Sequence, residues 1–153
     1  MADAYQKKTV RAATVSDAVA IHEMHRCGVV ADVVERLAPD RAVPGTTFHV
    51  VELDGEVIAA FTLVELGRMR PTGLPRLLMY EMRIRPRFRG VDFVDDVFTW
   101  LEEHLGVGRE RELLALAPMD QSPSVFYRFA MSPSHQVFKW AAAESGTTLD
   151  YSS

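Results

Sequence analysis

The sequence predicts an α/β fold in which helices lie on both sides of a mixed sheet. Apolar runs with strand-like and helical spacing follow one another in the order β-α-α-β-β-β-α-β-α-β. The Asp-Gly pair at 54–55 separates two β-type runs at 47–53 and 56–65, which is a strong hairpin signal. An apolar run at 77–85 is followed, after a basic turn, by an amphipathic stretch at 92–105. These observations predict strands paired in one sheet and a helix packed on it.

Length and composition predict one domain that spans residues 1–153. The chain is 48% hydrophobic, which is enough for one well-packed core. A net charge of -4 and a pI near 5.7 argue against general binding of nucleic acid or of an anionic membrane. No apolar run approaches the roughly 20 residues that span a bilayer, and the start of the chain does not resemble a signal peptide. We therefore expect a cytoplasmic protein.

The first third of the chain reads as one strand and two helices. Residues 8–13 alternate as a strand, and Thr14 to Asp17 match a capping box that begins a helix. The apolar face of that helix is formed by Ala18, Ile21 and Met24. Gly28 then interrupts the helix before a second one. The apolar residues of the second helix are Val29, Val30, Val33, Val34 and Leu37.

The last third of the chain predicts a strand, a short helix and a further strand. Residues 112–118 form an apolar run typical of a buried strand. Ser122 and Pro123 fit an N-cap and a proline at the first position of a short helix. The tail, 135–143 and 147–151, mixes β-formers with helix-formers, and we assign it to strand.

The turn between the fourth strand and the long helix predicts an anion site. Backbone N–H groups at a helix N-terminus bind anions, and each favourable charge there contributes about 0.3 to 1 kcal/mol. Gly90 would let the backbone approach an anion closely. Arg87 and Arg89 would add positive charge.

These features resemble the GCN5-related N-acetyltransferase (GNAT) superfamily. The family signature on this turn is Arg or Gln, two residues, Gly, one residue, and then Gly or Ala, and residues 87–92 read Arg-Phe-Arg-Gly-Val-Asp. The opening segment at 10–17, the hairpin at 54–55 and the Phe-Tyr pair at 126–127 are also similar to the family pattern. The resemblance covers about residues 8–140. It implies a mostly antiparallel central sheet of six to seven strands.

The resemblance also implies an activity and a donor. The chain would transfer an acetyl group from acetyl-CoA, as co-substrate and without a metal, to the primary amine of a small molecule. Neither nucleic acid nor a membrane is expected as a partner, and a homodimer is left open. The CoA pyrophosphate would lie at the turn, and the pantetheine amides would pair with the edge of the fourth strand. The residues expected to bind the cofactor are Met82, Arg83, Ile84, Arg87, Phe88, Arg89, Gly90, Val91 and Asp92.

Asp92 departs from the signature, which has Gly or Ala at this position. Two like charges about 4 Å apart repel by roughly 4 kcal/mol at an effective dielectric of 20. Binding of CoA then requires Asp92 to point away or to pair with Arg89. Alternatively, Asp92 is the N-cap of the helix. Two further functions therefore stay open: acyl transfer from another acyl thioester donor, and a non-catalytic GNAT-fold binding protein with an impaired CoA site.

Two side chains are expected to carry the chemistry. Acyl transfer to an amine needs a base, and members of the family often carry a glutamate on the fourth strand in that role, here Glu81. Tyr80 and Met82 would face the other way, and burial of Glu81 would make it a stronger base. The alternative is an ion pair between Glu81 and Arg83 or another arginine. The family's acid for the leaving thiolate carries over to Tyr127, which could instead pack in an aromatic cluster.

The acceptor side is expected at about 22–43 and 67–75, as the resemblance implies. The polar side chains there that could attract a cationic amine are His22, His25, Asp32, Glu35 and Asp40. Two residues, not three, separate the two histidines, so the pair does not match a zinc-protease motif. No metal site is expected.

Overall fold

The computed structural model describes residues 7–67, 73–117 and 123–142. These residues fall into two units, Met1–Pro118 and Met119–Ser153, and each unit is described by itself. The predicted mixed α/β fold is confirmed in the first unit, where helices flank a sheet.

The sheet of the first unit has five strands in the order β1-β2-β3-β4-β5. The strands are β1 Thr9–Ala12, β2 Thr46–Leu53, β3 Glu56–Gly67, β4 Arg76–Ile84 and β5 Glu112–Ala115. The first three pairings are antiparallel and the last, between β4 and β5, is parallel. The predicted hairpin at 54–55 joins β2 to β3. The sheet is smaller than the six to seven strands expected.

The tail explains part of this difference. Residues 131–142 have no helix or strand, so the strand predicted at 135–143 is wrong over its described part. The rest of that prediction, residue 143 and 147–151, lies outside the described residues. A β-former becomes a strand only when a neighbouring strand takes its backbone hydrogen bonds. No strand occurs in the described part of the second unit, and the side chains of Phe138 and Trp140 are 86% and 97% exposed.

The helices are α1 Ala18–His25, α2 Val30–Leu37, α3 Val94–Leu105 and α4 Ser124–Tyr127. Three 3-10 turns lie at Val15–Asp17, Pro39–Arg41 and Pro86–Phe88. In α4, Pro123 is the N-cap and not the first helical residue, and the predicted cap Ser122 lies outside the described residues. Over the parts of the chain that the structure describes, no helix is long and apolar enough to cross a membrane.

Helices pack on both faces of the sheet. On one face, Val97 and Leu101 of α3 are fully buried against a cluster that includes Ile58, Phe61 and Met79. The opposite face is covered by α1 and α2, and its buried cluster is formed by Ile21, Met24, Val50, Val57 and Ala60. Full burial of a Val, Leu, Ile, Phe or Met side chain stabilises the folded state by about 1.5 to 3 kcal/mol. The two clusters therefore fix the helices on the sheet.

An ion network joins β1 to the start of α1. The Arg11 guanidinium donates to both carboxylate oxygens of Asp17 at 2.8 Å, and its Nε donates to Glu52 at 2.6 Å. Asp17 also accepts the Thr14 N–H at 2.8 Å, which is the acidic half of the predicted capping box. The hydrogen bond from Arg11 holds the pKa of the buried Asp17 carboxyl below its ordinary value.

His49 is a buried polar group on β2. It is 8% exposed, and its ring stacks on Phe61 at 5.2 Å and lies 5.0 Å from the ring of Trp100, centroid to centroid. Its Nδ1 has no hydrogen-bond partner among the described residues. Burial lowers the pKa of His49 to about 4, so the imidazole is neutral at pH 7.

We predict that Asp17→Asn lowers the free energy of unfolding by about 1 to 3 kcal/mol, because the guanidinium of Arg11 loses its charged partner. The folded-state pKa of Asp17 is depressed, so this stability is present above the unfolded pKa near 3.9 and is lost as pH falls through the folded pKa. Urea denaturation at pH 7 and pH 3 measures both effects. Asp54→Asn in the exposed hairpin is the control, with an expected change within about 0.5 kcal/mol. Equal losses at both pH values for Asp17→Asn would contradict the account.

A second prediction concerns His49→Phe, which retains an aromatic ring between Phe61 and Trp100. The folded pKa of His49 lies below its unfolded value near 6.5, so the unfolded chain binds the proton first as pH falls. Between pH 7.5 and pH 5 the free energy of unfolding of the wild type should fall by about 2 kcal/mol through this group, and that of the variant should not show this fall. His135→Phe, at an exposed position, should leave the pH dependence unchanged. Parallel stability curves for wild type and His49→Phe would refute the prediction.

Candidate functional site

A β-bulge in β4 sets the geometry of the site. The register between β3 and β4 shifts between Ala60 and Thr62, so Glu81 and Met82 together oppose only Phe61. Glu81 adopts φ 56°, in the left-handed region that costs a residue with a side chain about 1 to 2 kcal/mol. Such strained positions cluster at functional sites, which makes Glu81 a candidate on structural grounds as well.

The bulge changes which side chains of β4 are buried. Met79 belongs to the core cluster, and Met82 and Ile84 pack against the same cluster, so the alternation shifts by one residue at Glu81. The side chain of Glu81 is exposed and does not enter this core. The alternative ion pair is absent too, since no cationic group among the described residues pairs with Glu81 and the Arg83 guanidinium donates to the carbonyl of Met82 at 3.4 Å.

Glu81 lines a cavity of about 410 Å³ that α1, α2, β2 and β3 also border. Its apolar lining is formed by Ile21, Val33, Leu37, Phe48, Ala60 and Phe61, and its ionisable groups are His25, Cys27, Asp32, Arg36, His49 and Glu81. Two of the predicted acceptor residues, His25 and Asp32, thus line the same cavity as the predicted base. Glu35 pairs with Arg41 at 3.5 Å instead, and His22 borders a separate surface pocket.

The half-buried His25 is neutral in this cavity at pH 7. Burial lowers its pKa, the charge of Glu81 opposes that effect, and the charges of Arg83 and Arg36 add to it. A neutral imidazole can accept a proton, so the cavity has a second basic group near Glu81. No motif in the sequence indicates that His25 and Glu81 lie near each other, because 56 positions separate them and only the fold brings them to one cavity.

The edge of β4 opens beside this cavity. The parallel pairing with β5 ends at Met79 opposite Ala115, and the Leu116 N–H donates the last bond, to the Met79 carbonyl, at 2.9 Å. Beyond it, residues 80–84 have no strand partner on that side in the described part of the chain. The expected pantetheine contacts Met82, Arg83 and Ile84 lie on this open edge.

The turn after β4 is closed by its own backbone. The N–H groups of Phe88, Arg89 and Val91 donate to carbonyls within the turn at 2.9, 3.3 and 3.0 Å. Gly90 has φ 93°, and a side chain there would meet no atom within 4 Å. The turn therefore leaves room for a ligand beside Gly90 but uses several of the donors that a phosphate would need.

The arginines of the turn have different partners. Arg85 is largely buried and pairs with Glu23 at 2.8 Å, while Arg87 pairs with Glu56 and lies 4.9 Å from the ring centroid of Phe88. Arg89 is exposed and is in no ion pair with the described residues. Of the two arginines expected to meet a phosphate, one is already paired.

The start of α3 carries negative charge. Phe93 is the N-cap and α3 begins at Val94, so the alternative in which Asp92 is the N-cap of the helix is wrong. Asp92 is exposed before the helix, and Asp95 and Asp96 lie in the first turn. Carboxylates at a helix N-terminus interact favourably with its dipole, which is the role that an anionic ligand would otherwise take. Three carboxylates thus lie close in sequence to the expected pyrophosphate position.

Tyr127 lies in the second unit, at the end of α4. Its side chain is 54% exposed, whereas Phe126 and Phe129 are half-buried. Its role as an acid stays a prediction. In the parts of the chain that the structure describes, no three His, Cys, Asp or Glu side chains are grouped so as to hold a metal ion.

Comparison with known proteins gives matches in structure only. No family model matches the sequence, and no curated protein does. The fold is similar to a glucosamine-6-phosphate N-acetyltransferase from Arabidopsis thaliana, with a TM-score of 0.63, 17% identity, and coverage of 88% of this chain and 99% of that one. It is also similar to the aminoglycoside N-acetyltransferase AAC(6′)-Iy in complex with CoA, with a TM-score of 0.65, 8% identity, and coverage of 93% and 99%.

A third similar structure is described as a transcriptional regulator from Bacillus halodurans C-125, with a TM-score of 0.69, 16% identity, and coverage of 88% and 99%. Identities this low establish the fold and leave the activity to be argued from the site. The structural neighbours are mostly acetyltransferases. The chain therefore has the fold of the GCN5-related N-acetyltransferase superfamily.

Proposed function

We propose that the chain is an N-acetyltransferase that transfers an acetyl group from acetyl-CoA to the primary amine of a small molecule. The observation that carries the proposal is the position of Glu81, a carboxylate without an ion pair among the described residues, on a cavity beside the open edge of β4. The similarity in fold to N-acetyltransferases supports the same class of reaction.

Glu81 would accept a proton from the substrate ammonium through a water molecule. Its exposure allows water to reach it, and the neighbouring neutral His25 can share the proton. The donor supplies a thioester carbonyl carbon, to which the amine nitrogen bonds as the carbon–sulfur bond breaks. The departing thiolate needs a proton, and the resemblance assigns its delivery to Tyr127.

The pantetheine arm of the donor fits the edge of β4 better than its pyrophosphate fits the turn. Along 80–84, antiparallel pairing with β3 uses one side of β4, so the other side can bond to the amides of a pantetheine arm. At the turn, Gly90 leaves space, and Arg89 is in no ion pair with the part of the chain that the structure describes. The carboxylates at the start of α3 oppose a pyrophosphate there.

This acidic turn favours a second candidate function. An acyl thioester on a pantetheine arm without the nucleotide, such as the arm of a carrier protein, would use the β4 edge and avoid the carboxylates. The chain would then be an acyltransferase with another donor. A non-catalytic protein with an impaired CoA site would bind neither form.

We predict that Glu81→Gln lowers kcat by about a hundredfold, the lower end of the range for loss of a general base. Glutamine keeps the length and shape of the side chain, so the bulge should form as before, and the KM for the donor should stay the same. Release of CoA thiol measures the rate. Glu103→Gln, on an exposed position of α3, is the matched control and should have wild-type activity. A kcat within twofold of wild type for Glu81→Gln would exclude Glu81 as the base.

A further prediction separates the donors. Calorimetry with acetyl-CoA and acetyl-pantetheine should show binding of acetyl-CoA at millimolar concentration or below, and Asp92→Asn should tighten it by up to about tenfold as one like charge is removed. Asp54→Asn, with the same change in net charge, should leave the affinity unchanged. Binding of acetyl-pantetheine without acetyl-CoA would favour the second candidate. Binding of neither would indicate a non-catalytic protein.

A further inference from the structure

The cavity beside Glu81 is lined by one arginine and two carboxylates, and Asp32 is the carboxylate that accepts a backbone hydrogen bond. Arg36 lines it from α2 and Glu81 lines it from β4. Both side chains are exposed, and neither is in an ion pair with any residue in the described ranges. A guanidinium and a carboxylate that border one cavity without touching leave a gap between them that a ligand with both charges can fill.

His25 lies near both Arg36 and Glu81. It lines the same cavity, and it feels Glu81 and Arg36 with opposite effects on its pKa. Arg36 and Glu81 are therefore both close enough to His25 to affect its pKa. Asp32, the other carboxylate there, accepts the Val29 N–H at 3.0 Å at the start of α2, so it already has a structural role.

The size and lining of the cavity limit the ligand further. About 410 Å³ lies near the lower end of the range of about 300 to 1,000 Å³ typical of small-molecule sites. Apolar side chains from α1, α2, β2 and β3 form much of the wall, which suits a hydrocarbon group next to the two charges. The guanidinium fork of Arg36 matches the geometry of a carboxylate.

We propose that the acceptor is a single amino acid with an apolar side chain, whose carboxylate binds Arg36 and whose amine faces Glu81. The apolar side chain packs against Ile21, Val33 and Phe48. This inference rests on the proposed function, because it names the acceptor of that reaction. It assigns Arg36 as a specificity-determining residue that does not touch the reacting atoms.

The test is calorimetry on the full chain with three probes: L-phenylalanine, phenethylamine, which lacks the carboxylate, and 3-phenylpropionate, which lacks the amine. L-leucine with isopentylamine repeats the comparison for an aliphatic side chain. At least one of the two amino acids should bind about tenfold more tightly than its analogue without a carboxylate, since a charge-assisted hydrogen bond to an exposed arginine is lost. Arg36→Gln should abolish that preference. Arg41→Gln, an exposed arginine outside the cavity that pairs with Glu35, should keep it.

The outcomes separate this inference from the proposed function. Equal binding of amines with and without the carboxylate, or binding of neither amino acid, would overturn the inference. So would a preference that survives Arg36→Gln. Mass spectrometry of the acetylated product, with acetyl-CoA or acetyl-pantetheine as donor, tests the proposed function independently. An amino acid that binds through Arg36 but is never acetylated would support the proposed ligand and contradict the proposed function. Acetylation of phenethylamine as fast as of L-phenylalanine would support the function and contradict the role of Arg36.

Discussion

The bulge at Glu81 is the constraint on which the site depends. Without it, strict alternation along β4 would place Glu81 on the same face as Met79, in the apolar core under α3. The extra residue moves Met82 and Ile84 onto that core and leaves the carboxylate exposed at the cavity. Their packing offsets the strain of a glutamate at φ 56°, which costs about 1 to 2 kcal/mol. A packing requirement in the core thus positions a polar group for chemistry.

In the turn that follows, the contacts that stabilise the fold use groups that could otherwise bind a ligand. Ion pairs from Arg85 and Arg87 tie it to α1 and β3, and its backbone bonds hold it in a compact form. These contacts fix the direction in which α3 leaves the sheet. They also use groups that the family signature would offer to a phosphate, and the acidic first turn of α3 adds like charge. The residues that stabilise this connection are therefore the same ones that would bind a pyrophosphate.

The sequence predicted those parts of the fold that local patterns determine. The hairpin at 54–55, the helix that follows Thr14 and the amphipathic α3 all have signals within a few residues. The bulge has none, because a glutamate at positive φ is selected by packing across β3 and not by its own preference. The ion pairs of Arg87 and the grouping of His25, Arg36 and Glu81 depend on residues distant in sequence. The tail was predicted from β-propensity, which does not form a strand without a partner.

A crystal structure of the chain with acetyl-CoA and an amine tests the central claim most directly. The account predicts that the thioester lies along the open edge of β4 at 80–84, with the carboxylate of Glu81 facing the amine across the cavity. Acetyl-CoA bound elsewhere on the chain, or an amine whose nitrogen is remote from Glu81 while the thioester occupies that edge, would contradict it.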